Sequence, residues 1–219
     1  MREPDEEGHT LHQFLQEVEI GLPYRLQADL ELAEEIEDGD GEFSNIGVEL
    51  RWALADWGVI FMNPTVYGEW EFHPDDADEF EAKLLFGESV TRRLFTAVNF
   101  FYEQQVGGDD EQEFAVSNAW SYSLIDRVLG AGAEMRFTLE KEKEKSPAKQ
   151  TEEEFEPMFV IGPSLSWRIT DNLSLVAAPL FGVTEESPDV ESFVFLRYYF
   201  GGEDDDGAGD EQTPSMEAR

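Results

Sequence analysis

Three histidines and fifty acidic side chains are the main material for chemistry in this 219-residue chain, which contains no cysteine. Disulfides, thiolate metal sites and thiol nucleophiles are thereby excluded. His73 ends one segment of alternating polarity and Ser44 begins its neighbour, so a serine–histidine pair for ester hydrolysis has to be weighed. Phase argues against it. Ser44 is in step with the apolar residues Ile46, Val48 and Leu50, whereas His73 continues the opposite set Tyr67, Glu69, Glu71. No catalytic residue is assigned, and the chain reads as non-enzymatic. The runs "DGDGE" and "HPDDADE" offer oxygen ligands for calcium, but neither follows EF-hand spacing, and solvated loops account for them. No cofactor or metal is expected.

The charged residues that matter recur two apart. Arg25, Asp29, Glu31, Glu49, Arg51, Glu69, Glu71, Lys83, Glu103, Glu134, Arg136, Arg168 and Arg197 share the polar phase of their segments, as do Glu17 and Glu19. At that density they must face water or one another, because isolated burial costs several kcal/mol per ion. A water-filled lumen would satisfy them. Two readings stay open: a channel whose acidic excess favours cations, and a plug of paired charges that holds a narrow barrel together. The same phase carries Phe61, Tyr67, Phe95, Phe101, Phe193, Phe195 and Tyr199, which would narrow the bore against large solutes.

The elements that would position these residues are strands. From Tyr24 to Leu32, and again from Leu129 to Glu140, apolar and polar residues alternate without error; a strand puts each set on one face. Comparable segments fall at about 12–22, 23–33, 43–54, 59–72, 79–89, 94–105, 113–124, 129–141, 155–169, 173–183 and 190–200. Their lengths suit tilted strands crossing a bilayer. Short turns at "LPYRL", "LADWG", "VTRRL", "IDRVL" and "ITDNL" alternate with the acidic loops "AEEIEDGDGE", "HPDDADE", "VGGDDEQ", "EKEKEKSPAKQTEE" and "TEESPDV". The charged "EKEKEK" stretch reads as the base of a long loop, not as a helix. Outer aromatics divide likewise: Tyr24, Trp52, Trp167 and Phe200 near the short turns, Trp70, Phe72, Phe114 and Phe137 near the loops, as two interfacial girdles.

Composition bounds the rest. Hydrophobic residues at 41% are too many for a disordered chain, and a net charge of -35 repels nucleic acid. No apolar run is long enough for a transmembrane helix.

On these segments the chain resembles the outer-membrane β-barrel family of Gram-negative bacteria. The hairpin "EVEIGLPYRLQADLEL" is similar to those of twelve-stranded members, and "VFLRYYF" resembles the C-terminal strand that the barrel assembly machinery recognises. The resemblance implies an assembly signal at Val194, Leu196, Tyr198 and Phe200, and outer-membrane lipid and the assembly machinery as partners; small solutes would be partners only if the lumen is an open channel. In the family the last aromatic usually ends the chain; here an acidic tail follows it.

The expected fold is therefore all-β, an antiparallel up-and-down transmembrane β-barrel with about eleven visible strands of a nominal twelve. Residues 1–11 would be an outer-loop remnant, 12–200 the barrel and 201–219 a disordered acidic tail. With short turns in the periplasm, strands 12–22 and 190–200 run the same way, so a first strand and a signal peptide are expected upstream of Met1. Two rivals remain: a lipid-acting hydrolase of the outer membrane, and a soluble acidic β-barrel whose apolar face encloses a ligand. The second simply inverts the faces, and alternation is symmetric between inside and outside.

Overall fold

The computed structural model describes residues 11–37, 40–74, 76–107, 111–143 and 153–200; the expected N-terminal loop remnant and acidic tail, apart from Leu11, fall outside that set. Among these described residues, eleven strands form one sheet in sequence order, each antiparallel to the next. They are β1 (Leu11–Leu22), β2 (Leu26–Glu37), β3 (Asp40–Ala53), β4 (Thr65–Phe72), β5 (Asp78–Ser89), β6 (Leu94–Val106), β7 (Gln112–Ile125), β8 (Leu129–Lys143), β9 (Glu153–Arg168), β10 (Leu173–Gly182) and β11 (Val190–Tyr198). The sheet curls on itself as an up-and-down half-barrel. An odd number leaves β1 and β11 parallel, so the two edges do not pair as neighbouring strands do. They come close all the same: Arg197 of β11 reaches Glu19 of β1 at 3.0 Å.

The polar set turns inward. Asp29, Glu31, Asn45, Glu49, Glu69 and Lys83 are buried, whereas Val18, Leu30, Val48, Leu50, Val194 and Leu196 are exposed. No helix among the described residues is long and apolar enough to cross a membrane.

Three expectations are corrected at the ends of the sheet. The strand expected over 59–72 starts only at Thr65. Residues 54–64 make a long connection instead of the short turn read at "LADWG": Asn63 accepts from the Gly58 amide at 2.5 Å and donates to the Gly87 carbonyl at 2.8 Å, and Met62 and Asn63 have positive φ. Phe61 consequently lies on this connection, 81% exposed, and does not narrow the bore. At the opposite end, β2 and β3 run on through most of "AEEIEDGDGE", leaving only residues 38–39, which lie outside the described set, in place of a long loop. Their register shifts at Ala33/Glu34. Finally, Pro23–Arg25 form a 3-10 turn in which Tyr24 and Arg25 adopt positive φ, so the second strand begins at Leu26.

The ladder between β9 and β10 is interrupted. Pro163 and Pro179 have no N–H for it, and the pairing stops at Ala177↔Leu165 and resumes at Phe181↔Ile161. Gly162 allows a close approach at the interruption, since a Cβ there would overlap the Pro179 carbonyl. Beside it Val160, Ala178 and Leu180 form a small apolar cluster against Phe193. We expect Gly162→Ala to destabilise the barrel by roughly 1–3 kcal/mol through overpacking. Gly68→Ala, with open space around the new methyl, should leave the urea midpoint unchanged.

Candidate functional site

The pairing register makes a belt out of acids that are scattered along the sequence. Glu19 faces Asp29, Asp29 faces Glu49, Glu49 faces Glu69, Glu69 faces Glu81, and Glu81 faces Glu103. The row continues through Glu113, Glu140 and Glu156 on β7, β8 and β9. Like charges directly opposite one another are destabilising in a sheet, so a run of this length needs compensation.

Part of it is built beside the belt. One register step toward the short-turn end lies the row Gln27, Arg51, Tyr67, Lys83, Phe101. Arg51 lies 2.7 Å from Glu49, 3.1 Å from Asp29 and 3.2 Å from Glu17, joining carboxylates of three strands. Lys83 pairs with Glu81 at 2.5 Å and stands 4.1 Å over the Tyr67 ring. The Arg51 guanidinium lies 5.3 Å from the same ring, so Tyr67 is flanked by two cations that the face of its π-system attracts. The Tyr67 hydroxyl donates to Glu69 Oε2, which ties the aromatic row back to the belt.

One step toward the loop end lies the row Glu17, Glu31, Gly47, Glu71, Glu79. There Asn45 donates to Glu71 at 2.7 Å, and His73 lies 3.8 Å from the same carboxylate. Among the described residues, carboxylate and imidazole atoms gather in three groups close enough to be weighed as cation sites: Glu71, His73, Glu79; Glu17, Asp29, Glu49; and Glu31, Glu49, Glu69.

Of the lumen candidates read from the sequence, Asp29, Glu31, Glu49, Arg51, Glu69, Glu71, Lys83 and Glu103 fall within these rows on the inner face. Glu134 and Arg136 share that face on β8, where Arg136 pairs with Glu191 of β11 at 2.6 Å. Arg168 of β9 and Arg197 of β11 both stand opposite Ser174 of β10 in register. Arg25 is the exception: in its turn at the sheet's end it bonds the Ala53 carbonyl at 3.2 Å and Asp56 at 3.4 Å, away from the inner wall. Glu81, Glu113, Glu140 and Glu156 were not among the candidates; their phase with Lys83, Glu134 and Arg136 was the available signal, and register was the missing fact. Ser44 donates to Glu35 at 3.2 Å, while His73 is engaged with Asn45 and Glu71.

On the outer face of β11, Val194, Leu196 and Tyr198 are exposed together. The strand ends at Tyr198, yet Phe200 packs edge-on against the Tyr198 ring at 4.8 Å, which keeps the last aromatic beside that face.

Arg51 is the keystone of the inner network. Arg51→Met should cost about 3–5 kcal/mol, because it leaves the carboxylates of Glu17, Asp29 and Glu49 without their common cation. Pairing Arg51→Met with Asp29→Asn and Glu49→Gln should recover most of that loss in a urea titration.

A scan against protein-family models and a search of curated proteins return no match for this chain. Among solved structures, one described as the NanC porin in a rhombohedral crystal form is similar in fold, with a TM-score of 0.58 and 10% identity over 87% of this chain and 96% of that one.

Proposed function

We propose that this chain is a non-enzymatic outer-membrane β-barrel that acts as a narrow, cation-favouring channel for small solutes. The observation that carries the reading is the orientation of the faces: apolar side chains are exposed on the outside of every strand, while an acidic belt crosses the inside from β1 to β9. In water the outer surface would be one continuous apolar patch; in a bilayer it is solvated by lipid. The paired aromatics Trp70 and Phe80, and Tyr102 and Phe114, suit the loop-end interface, and Trp52 and Trp167 the opposite one. The likeness to a porin supports the architecture, and the acids supply the selectivity through ordinary electrostatics. Tyr67 and Phe101, buried against Lys83, restrict the bore to small solutes.

A structural barrel is the second reading, favoured by the density of ion pairs around Arg51. The exposed face of Val194, Leu196 and Tyr198, with Phe200, is the surface we assign to the barrel assembly machinery, and outer-membrane lipid is the expected surround.

Purified protein should stay folded and monodisperse only with detergent or lipid; a monodisperse, folded protein in plain buffer would refute the membrane assignment. In planar bilayers under a potassium chloride gradient, the reversal potential should show cation preference. Glu81→Gln combined with Glu103→Gln should reduce that preference, and an absence of current would leave the structural barrel.

A further inference from the structure

We propose that Glu31, Glu49 and Glu69 form a binding site for a divalent cation of calcium's size on the inner wall of the barrel. The site goes beyond the channel reading and does not require that the lumen conduct.

Three strands deliver one carboxylate each. Glu31 comes from β2, Glu49 from β3 and Glu69 from β4, and one oxygen of each lies within 4.8 Å of the others. Two oxygens that each bind one calcium ion at about 2.4 Å can be at most twice that distance apart, a limit each pair meets, so a small inward adjustment of the side chains brings all three around a single ion. The three residues are 1%, 1% and 3% exposed. Glu69 uses Oε2 to accept the Tyr67 hydroxyl, while its Oε1 is buried with no hydrogen-bond partner among the described residues. A buried carboxylate oxygen without a partner is costly, and coordination is a direct way to satisfy it.

The backbone beside the site is shaped to match. Glu69 Oε1 leans over Gly47, where a Cβ would stand 2.5 Å from it and 3.2 Å from the Glu31 Cβ. Along the inner side of β3 the residues run Asn45, Gly47, Glu49, Arg51. On one side of Glu49, Arg51 supplies the cation for the group Glu17, Asp29, Glu49. On the other side, the strand offers glycine beside the group Glu31, Glu49, Glu69. The two groups share Glu49, which pairs with Arg51 at 2.7 Å; beside Glu31 and Glu69 the strand places Gly47, which keeps a side chain out of the space between them.

Donor chemistry and burial select the ion. All three ligands are hard oxygens, which exclude soft, sulfur-seeking metals. So enclosed a site requires the ion to shed most of its water. Calcium does this readily and accepts irregular or bidentate carboxylates, whereas magnesium keeps its waters and demands an octahedron. The acids nearer the loop end, Glu71 and Glu79, provide a negative approach from that side.

Terbium luminescence in the refolded, detergent-solubilised full chain tests the site, because Tyr67, bonded to Glu69, is placed to sensitise a bound ion. Terbium should bind saturably at one tight site and be displaced by calcium, above a background of weak binding to exposed acids. Glu69→Gln and Glu31→Gln should each weaken that site by roughly tenfold or more, while Glu42→Gln, at an exposed position, should not. Calcium should also raise the wild-type urea midpoint beyond what sodium does at equal ionic strength, a readout that needs no variant to fold. Weak, unsaturable binding alone, equal affinity in Glu69→Gln and wild type, or no calcium-specific stabilisation would each overturn the proposal.

Discussion

A single sheet with no second layer to cover it can bury only one of its faces, by curling on itself, and the choice of face governs everything else in this molecule. Here the charged phase goes inside. The outer surface then consists of side chains such as Val48, Leu50, Val116 and Leu165, all exposed. Hydrophobic burial within the protein is correspondingly slight, the small cluster of Val160, Ala178 and Leu180 being the described example. Cohesion comes instead from the ladder of backbone hydrogen bonds and from polar contacts within the curl. That suits a bilayer, where lipid solvates the apolar surface.

Turning the acids inward creates an electrostatic problem that the chain solves unevenly. Directly opposed acids run across the sheet from Glu19 to Glu156. Near β1 to β3 the answer is Arg51, whose planar fork can hold several carboxylates at once. Near β4 to β6 it is Lys83, a compact charge resting between Tyr67 and Phe101 while pairing with Glu81. From β6 to β9 the belt continues through Glu103, Glu113, Glu140 and Glu156, and on its short-turn side the wall carries small residues, with Asn99, Ser117, Ser121 and Ser164 buried along it. Large cationic and aromatic side chains thus flank the belt on β3 to β6, and small polar ones on β6 to β9.

Legibility varied with how local the cause was. Strands such as Leu129–Lys143 were readable because each residue's phase is set by its own neighbours. Residues 59–64 misled for the same reason: Ile60, Met62 and Pro64 keep the period, but Asn63 fastens the segment to Gly58 and Gly87, and no period reports a side chain capping distant backbone. The extension of β2 and β3 past Ala33 was hidden by acidic residues of poor strand propensity, which the neighbouring strand's hydrogen bonds override. Arg25 kept the right phase but fell in a turn where φ is positive. The convergence of Glu17, Asp29 and Glu49 on Arg51 depended on register between three strands.

By itself the sequence determined the number of strands, their antiparallel succession and the two sets of side chains that each strand separates, because a period of two is a local property of the backbone. Alternation alone could not say which set would be inside, since it looks the same from either face; the placement of the aromatics favoured the charged set. The tertiary structure decided it, by the direction in which the sheet curls. Register was decided there too: each hairpin's connection fixes which residues stand opposite, and that is what gathered Glu31, Glu49 and Glu69 around Gly47.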